Sequence, residues 1–339
     1  MIEVRDIGAT IKDVSKYTGL SIATISKYIN GGNVRPQNKE LLDEAIKALD
    51  FRVNEMARGL KTSRTKTIGI LIPDLQQVFC TNIISNVENI LIKHGYSTII
   101  CDYKEDAKLQ KEKLQFLLNK MVDGIIIMPM GTEIDLIKKV MDEGVVVVLI
   151  DRILKDLECD VVLADNLNAS YDAVEQLIIR GHKRIGIVGG PDDVFTSQER
   201  LKGYCRVHED YSIDVSQELI KKGDYKVDSG YQLLNELMDL KQPPTAIFVT
   251  NYEMTLGTIM AINERNIIIS DELSLIGFDN LQLAQVIKPP LSMVLQPMKK
   301  IGEISAEILL KRLSGDMSSF PSIFRLKAEV LIKDSVVKI

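Results

Sequence analysis

The chain has 339 residues, of which 45% are hydrophobic and 26% charged, and its formal net charge is −5. This length predicts two or three domains, and the composition is that of a globular protein. The longest apolar run, GVVVVLI at 144–150, is far shorter than the roughly 20 residues that span a bilayer, and the polar N-terminus is not a secretory signal. We therefore expect a cytoplasmic protein with no membrane partner.

Charge is unevenly distributed along the chain. Residues 1–67 hold 12 Lys and Arg against 8 Asp and Glu, whereas residues 68–339 hold 30 against 39. A basic head on an acidic body indicates that the head binds a polyanion. The cysteines are widely spaced and the three histidines are not paired at metal-ligand spacing, so we expect no disulfide framework, metal site or cofactor.

The stretch TIKDVSKYTGLSIATISKYIN at 10–30 predicts two short helices. Thr10 with Asp13 three residues later resembles a capping box that begins the first helix. Gly19 supplies the turn, because a positive φ costs least without a Cβ, and Ser21 caps the second helix. The pattern is that of a helix-turn-helix.

Spacing divides the second helix into two faces. One face points inward and comprises Ile25, Tyr28 and Ile29. The outer face comprises Ile22, Ala23, Ser26 and Lys27. These side chains are small enough to enter a DNA major groove, and Lys27 can donate to a guanine edge or a phosphate. From spacing alone, a helical hairpin without a ligand remains an equal alternative.

Two further segments complete the head. The segment NKELLDEAIKALDF at 38–51 places apolar residues on one face and predicts a third helix that closes a small core. The segment at 52–67 is basic and has few apolar residues. A lone helix of this length is marginal in water, so we expect it to be disordered unless something organises it.

From residue 68 short apolar runs alternate with amphipathic stretches of 10–15 residues. Runs such as IGILIPD, VVVVLID and LSLIGFD are rich in β-branched residues, which is typical of buried parallel strands with crossover helices. Eight or more strands exceed one open sheet of common size, so we predict two α/β lobes. A barrel of eight βα units is the structural alternative.

Enzymatic signatures are weak. GIVGGPDD at 186–193 is neither a dinucleotide fingerprint nor a P-loop, and no nucleophile elbow occurs. Acids at predicted strand ends can be catalytic carboxylates or polar ligand contacts, and these are Asp74, Asp102, Asp151, Asp165 and Asp279. We predict that the chain is not an enzyme.

The head resembles the lactose/galactose-repressor (LacI/GalR) family of bacterial transcription regulators. Its opening motif is matched at Thr10, Ile11, Asp13, Val14, Gly19, Ser21, Thr24, Ser26 and Asn30, and its hinge motif at Asn54, Ala57 and Leu60. The resemblance implies that hinges from two subunits fold together on DNA and insert Leu60 into the minor groove. The DNA-contacting residues that it implies are Thr10, Ser21, Ile22, Ala23, Thr24, Ser26, Lys27, Asn30, Asn54, Ala57, Arg58, Leu60 and Lys61.

Three residues of the head depart from the family pattern. Ser15 and Thr18 stand where Ala is usual, and Val53 stands where Pro is usual. We expect these departures to loosen the head without removing it.

The body resembles the same family in phrases such as VVLIDR, RGHKRIGIVGGP and LSLIGFDN. The resemblance implies a head of residues 1–53, a hinge of 54–67 and a body of 68–339 with two periplasmic-binding-protein-like lobes. These lobes would comprise about 68–165 with 296–325, and 166–295 with 326–339. A small molecule would lie between them. The implied effector residues are Phe79, Asp151, Asp165, Thr196, Arg200, Tyr225, Asn251 and Asp279.

Other departures bear on the effector. Asn251-Tyr252 replaces the usual Asn-Asp, Gln77-Val78 the usual Asn-Pro, and Val194 the Arg of a purine-binding member. With Arg200 as the strongest candidate contact and Arg152 nearby, we expect a sugar or sugar acid. The chain would act as a homodimeric repressor on a palindromic DNA operator. The alternatives are a sugar-binding module without DNA function, a carbohydrate enzyme, and a regulator controlled by a partner protein.

Overall fold

The computed structural model describes residues 9–29, 31–51, 64–131, 134–279 and 281–339. They fall into two compact units that divide between Thr65 and Lys66.

The first unit contains three helices, α1 (Ile11–Thr18), α2 (Ile22–Ile29) and α3 (Pro36–Ala48). The predicted capping box is present, since the Thr10 hydroxyl accepts from the Asp13 N–H and the Asp13 carboxylate accepts from the Thr10 N–H. The helix α3 begins two residues earlier than predicted, with Pro36 in the first turn, where its missing N–H costs nothing.

A small apolar core holds these helices together. Its fully buried residues are Val14, Ile25, Leu42 and Ala45. Partly buried side chains surround them, namely Ile11, Leu20, Tyr28, Ile29, Leu49 and Phe51. The inward face that spacing predicted for α2 therefore lies against the core.

The second unit contains two six-stranded sheets, each covered by helices on both faces. The first sheet has the order β11-β5-β4-β3-β1-β2 and is wholly parallel. Its strands are β1 (Thr67–Ile72), β2 (Ser97–Asp102), β3 (Gly124–Ile127), β4 (Val146–Ile150), β5 (Asp160–Ala164) and β11 (Ile323–Leu326). Its helices are α4 (Val78–Leu91), α5 (Ala107–Asn119), α6 (Ile134–Asp142) and α12 (Met298–Leu313).

The second sheet has the order β12-β10-β9-β8-β6-β7, with only β12 antiparallel. Its strands are β6 (Ile185–Gly189), β7 (Ile220–Lys222), β8 (Ala246–Val249), β9 (Ser274–Phe278), β10 (Ser292–Leu295) and β12 (Glu329–Leu331). Its helices are α7 (Asn166–Ile178), α8 (Phe195–Asp210), α9 (Val227–Met238), α10 (Tyr252–Glu264) and α11 (Leu281–Val286). The predicted fold class, two α/β lobes rather than one barrel, is confirmed.

The chain passes between the sheets three times. It leaves the first sheet after β5, returns after β10 through α12, and leaves again between β11 and β12. The returning helix α12 packs closely on α4, because a Cβ at Gly302 would lie only 2.7 Å from the Ile83 carbonyl oxygen. The sequence therefore interleaves two structurally complete lobes.

A buried ion pair attaches β11 to the first sheet. The Arg312 Nε and Nη2 atoms donate to the Asp160 carboxylate at 2.8 and 2.9 Å, and both side chains are almost fully buried. The Ser322 N–H donates to the same carboxylate at 2.8 Å. Bidentate pairing gives this contact both strength and geometric specificity.

The described residues also answer two questions from the sequence, on membrane-spanning helices and on cysteine pairing. No described helix is long and apolar enough to cross a membrane. The four cysteines are unpaired; Cys80, Cys101 and Cys159 are buried, whereas Cys205 is exposed.

Candidate functional site

The helix α2 exposes the face that the sequence predicted. Ser21, Ile22, Ala23 and Lys27 are exposed, and Thr24 and Ser26 are half-buried. The Ser21 hydroxyl accepts from the Thr24 N–H at 3.2 Å and so caps the helix. Ile22 is 46% exposed. An exposed isoleucine beside a lysine suits contact with a thymine methyl and a phosphate or guanine.

The turn before α2 is held by two hydroxyls. The Ser15 Oγ donates to the Leu20 carbonyl oxygen at 2.7 Å. The Thr18 Oγ1 donates to the Val14 carbonyl oxygen at 2.8 Å and accepts from the Leu20 N–H at 3.2 Å. Both side chains therefore bond to the turn backbone, which argues against the expectation that these two residues loosen the head.

The remaining predicted DNA contacts are Thr10, which caps α1, and six residues that the structure does not describe. Thr10 directs its N–H and hydroxyl to Asp13, 2.8 and 2.7 Å away, and serves as a helix cap. Six others lie outside the described residues, namely Asn30, Asn54, Ala57, Arg58, Leu60 and Lys61.

A cleft of about 530 Å³, partly open to solvent, lies in the second unit. Residues from both sheets line it, and most of them follow the carboxyl ends of parallel strands, where open α/β sheets bind ligands. The first lobe contributes Pro73, Gln77, Phe79, Met128, Asp151 and Arg152. The second contributes Thr196, Arg200, Tyr225, Asn251, Tyr252, Glu253, Asp279 and Gln296.

Seven of the eight predicted effector residues line this cleft. The exception is Asp165, whose carboxylate caps α7 by accepting from the Asn168 N–H at 3.4 Å and the Asn168 side-chain amide at 2.7 Å. Asn251 also has a capping role, since it accepts from the Met254 N–H at 3.1 Å. Its amide nitrogen donates to the Tyr225 carbonyl oxygen at 3.0 Å.

Arg200 is held from three sides. Its Nε donates to the Asn166 amide oxygen at 2.8 Å, and its Nη1 donates to the Thr250 carbonyl oxygen at 2.5 Å. Its guanidinium carbon lies 4.2 Å from the centre of the Phe278 ring, which is cation–π distance. Since Nη2 makes no hydrogen bond to any described residue, one face of this buried cation remains for a ligand.

Three acids and one further arginine share the cleft with Arg200. Burial raises the pKa of Asp279 to about 7, although attraction to Arg200 and hydrogen bonds from Gln296 favour the ionised form. Burial also raises the pKa of Asp151, against the attraction of Arg152 and Arg200. Arg152 and Asp151 form a long ion pair, with Arg152 Nε 3.9 Å from Asp151 Oδ2.

Four buried polar atoms of the cleft have no hydrogen-bond partner among the described residues. They are Asp151 Oδ1, Arg152 Nε, Tyr225 Oη and Gln296 Oε1. Buried polar groups in folded proteins are normally paired, so these atoms indicate where a ligand or water would bind. The set contains two acceptors, one donor and one hydroxyl, which a ligand bearing several hydroxyl groups satisfies.

Three residues of the cleft have left-handed backbones, as do nine other described residues that are not glycine. Asp151, Tyr225 and Asp279 have φ values of 66°, 64° and 72°. Such left-handed conformations cost free energy in residues other than glycine and cluster at binding sites. The Tyr225 ring also lies so close to Gly190 that a Cβ there would be 2.1 Å from its Cζ.

Sequence reasoning missed four residues of the cleft, namely Pro73, Met128, Glu253 and Gln296. Arg152 was noted only as a neighbour, and Gln77 and Tyr252 only as departures from a pattern. Pro73, Met128 and Gln296 each directly follow a strand, so the strand-end rule that selected the acids applies to them. Among the described residues, no group of three or more His, Cys, Asp and Glu could hold a metal ion.

Comparison with known proteins supplies the context for both sites. The family model for periplasmic binding proteins and the sugar-binding domain of the LacI family matches residues 65–324. The chain is 34% identical to catabolite control protein A of Priestia megaterium, covering 90% of this chain and 92% of that protein. It is 30% identical to the transcriptional repressor CytR of Escherichia coli, with 92% of each covered.

Solved structures resemble the chain over similar lengths. The lac repressor dimer bound to operator and an anti-inducer superposes with a TM-score of 0.88 at 22% identity, covering 97% of this chain and 99% of that one. A LacI-family regulator from Enterococcus faecium with bound ribose gives 0.73 at 28% identity, covering 80% and 99%. The likeness extends over both described units in the first case.

Proposed function

Since this chain belongs to the LacI family, we propose that it is an effector-controlled transcriptional repressor that binds a palindromic DNA operator as a homodimer. It is not an enzyme, because relatives matching over nine-tenths of its length are repressors. We infer a cytoplasmic location, because the proposed function is carried out on DNA. We assign DNA reading to residues 1–53, the hinge to 54–67 and effector binding to 68–339.

The exposed face of α2 supports the DNA-binding part. Ile22, Ala23 and Lys27 are exposed on one short helix whose opposite face is buried in its own core. One such helix contacts few base pairs, so specificity at genomic scale requires two copies on two half-sites.

The cleft supports the effector part and carries the proposal. Seven predicted contacts meet there, and four buried polar atoms in it lack partners. Phe79 and Tyr225 supply flat faces for a sugar ring, while Asp151 and Arg152 supply an acceptor and a donor for hydroxyls. We propose a sugar or sugar acid as the effector. Ribose, bound to a solved relative, is one candidate.

A ligand in this cleft would contact both lobes at once. It would thereby select one angle between the lobes, which three chain crossings connect. The change would alter how two hinges pair on DNA and shift operator affinity by a coupling energy of about 1–3 kcal/mol.

The experiment is operator selection followed by titration. Full-length protein would enrich duplexes from a random-sequence pool, and fluorescence anisotropy would measure affinity for the enriched duplex with and without each member of a panel of neutral sugars and sugar acids. We expect a palindromic consensus and a change of at least fivefold in Kd with one sugar class, within the range of the coupling energy. Failure to enrich any duplex would favour the alternative of a sugar-binding module without DNA function. An enriched duplex insensitive to every sugar would favour control by a partner protein.

A further inference from the structure

Hydrogen bonds hold the three-residue turn between α1 and α2. Gly19 adopts φ 68° and its N–H donates to the Ser15 carbonyl oxygen at 2.9 Å. Leu20 uses both its N–H and its carbonyl oxygen, with Thr18 and Ser15 respectively. Ser21 then caps α2. Each of the three turn residues therefore makes at least one hydrogen bond to α1 or α2.

The side chains of Ser15 and Thr18 supply hydrogen-bond partners for backbone groups at the turn. The Thr18 hydroxyl satisfies both the Val14 carbonyl oxygen and the Leu20 N–H, and the Ser15 hydroxyl satisfies the Leu20 carbonyl oxygen. Alanine, which the family pattern has at both positions, could make none of these bonds. Leu20 also packs against the core of the unit, so its backbone is anchored from both sides.

We propose that Ser15 and Thr18 are positioning residues that hold α2 in its DNA-reading orientation before DNA is bound. This inference rests on the proposed DNA-binding function. The half-buried hydroxyls touch the turn backbone, so they act on DNA only through the direction in which α2 presents Ile22, Ala23 and Lys27. Contacts with base edges depend on that direction, whereas attraction of the basic head to phosphates does not.

The test compares Thr18→Val, Thr18→Ser and Ser15→Ala in the full-length protein. Valine keeps the branched shape of threonine without the hydroxyl, and serine keeps the hydroxyl without the methyl group. Each protein would be titrated against the duplex selected by the wild type and against poly(dI-dC), with helix content followed by circular dichroism.

We expect Thr18→Val and Ser15→Ala each to weaken binding to the selected duplex about fivefold per head, hence about 25-fold for a dimer, as loss of an ordinary hydrogen bond implies. Affinity for poly(dI-dC) should stay within twofold of wild type, and Thr18→Ser should retain most of the specific affinity. Unchanged specific affinity in Thr18→Val and Ser15→Ala would overturn the inference. So would parallel loss of both affinities with helix content, or equal loss in Thr18→Ser and Thr18→Val. If the wild type selects no duplex, the proposed function itself fails.

Discussion

Replacing Asp279 with Asn should stabilise the protein at pH 8 but not at pH 4. The Asp279 carboxyl belongs to a half-buried side chain that lines the cleft, and desolvation raises its pKa from an ordinary 3.8 to about 7. Between pH 4 and 7, Asp279 is therefore mostly protonated in the folded protein and mostly ionised in the unfolded chain. In that window the folded state binds more protons, so the unfolding free energy falls as pH rises.

The size of the effect follows from the pKa difference. About three pKa units correspond to a loss of at most about 4 kcal/mol of unfolding free energy in the wild type. This loss is complete above pH 7 and absent below pH 4. Asn has no charge to bury. Its amide can also donate to the Gln296 Oε1 atom, which has no partner now, if the Gln296 amide rotates.

Urea unfolding followed by circular dichroism measures this effect, since the chain has no tryptophan. Wild type and Asp279→Asn would be compared at intervals from pH 4 to 8, and the difference in unfolding free energy would be plotted, so that groups common to both proteins cancel. The difference should rise with pH and level off above pH 7. A flat difference curve, or one that falls with pH, would refute the reasoning about this carboxyl.

Three further substitutions test separate parts of the molecule. Arg312→Met should lower the unfolding free energy by about 3–5 kcal/mol, because it leaves Asp160 buried and unpaired, and adding Asp160→Leu should restore most of the loss in a urea titration. Arg200→Ala should abolish the effector response in anisotropy, while basal DNA binding remains. The control is Arg206→Ala, because Arg206 lies on the exposed side of the same helix. A fully responsive Arg200→Ala protein would exclude Arg200 from the site. Leu60→Ala, outside the described residues, should weaken operator binding and leave effector binding by calorimetry intact; equal loss of both would contradict the hinge assignment.

The parts of the fold that depend on local pattern were predictable. The spacing of apolar residues in α2 and in the buried strands can be seen within single short segments of sequence. The helix-turn-helix and the two α/β lobes therefore followed from the sequence. Strand order was not predictable in this way, because β11 joins β5 across more than 150 residues. The antiparallel β12 likewise depends on the path between lobes.

Candidate site residues were harder to sort. Asp165 and Asp279 both follow strands, but one caps a helix and the other faces the cleft. Strand-end position cannot separate these roles, because helix N-termini and ligand sites lie at the same edge of a parallel sheet. The bracing by Ser15 and Thr18 was missed for another reason: a hydroxyl in place of alanine reads as a weaker helix former until its partner is known.

The interleaved path of the chain has a consequence for how the protein is made. On a ribosome, β1 to β5 emerge early, but the strand that completes their sheet emerges only after the whole second sheet except β12. The Ser322 N–H meets Asp160 across 162 positions, and closing such distant contacts is slow. The nascent first lobe therefore exposes the edge of β5 for nearly half of synthesis, and this edge is where we expect assistance from chaperones to matter.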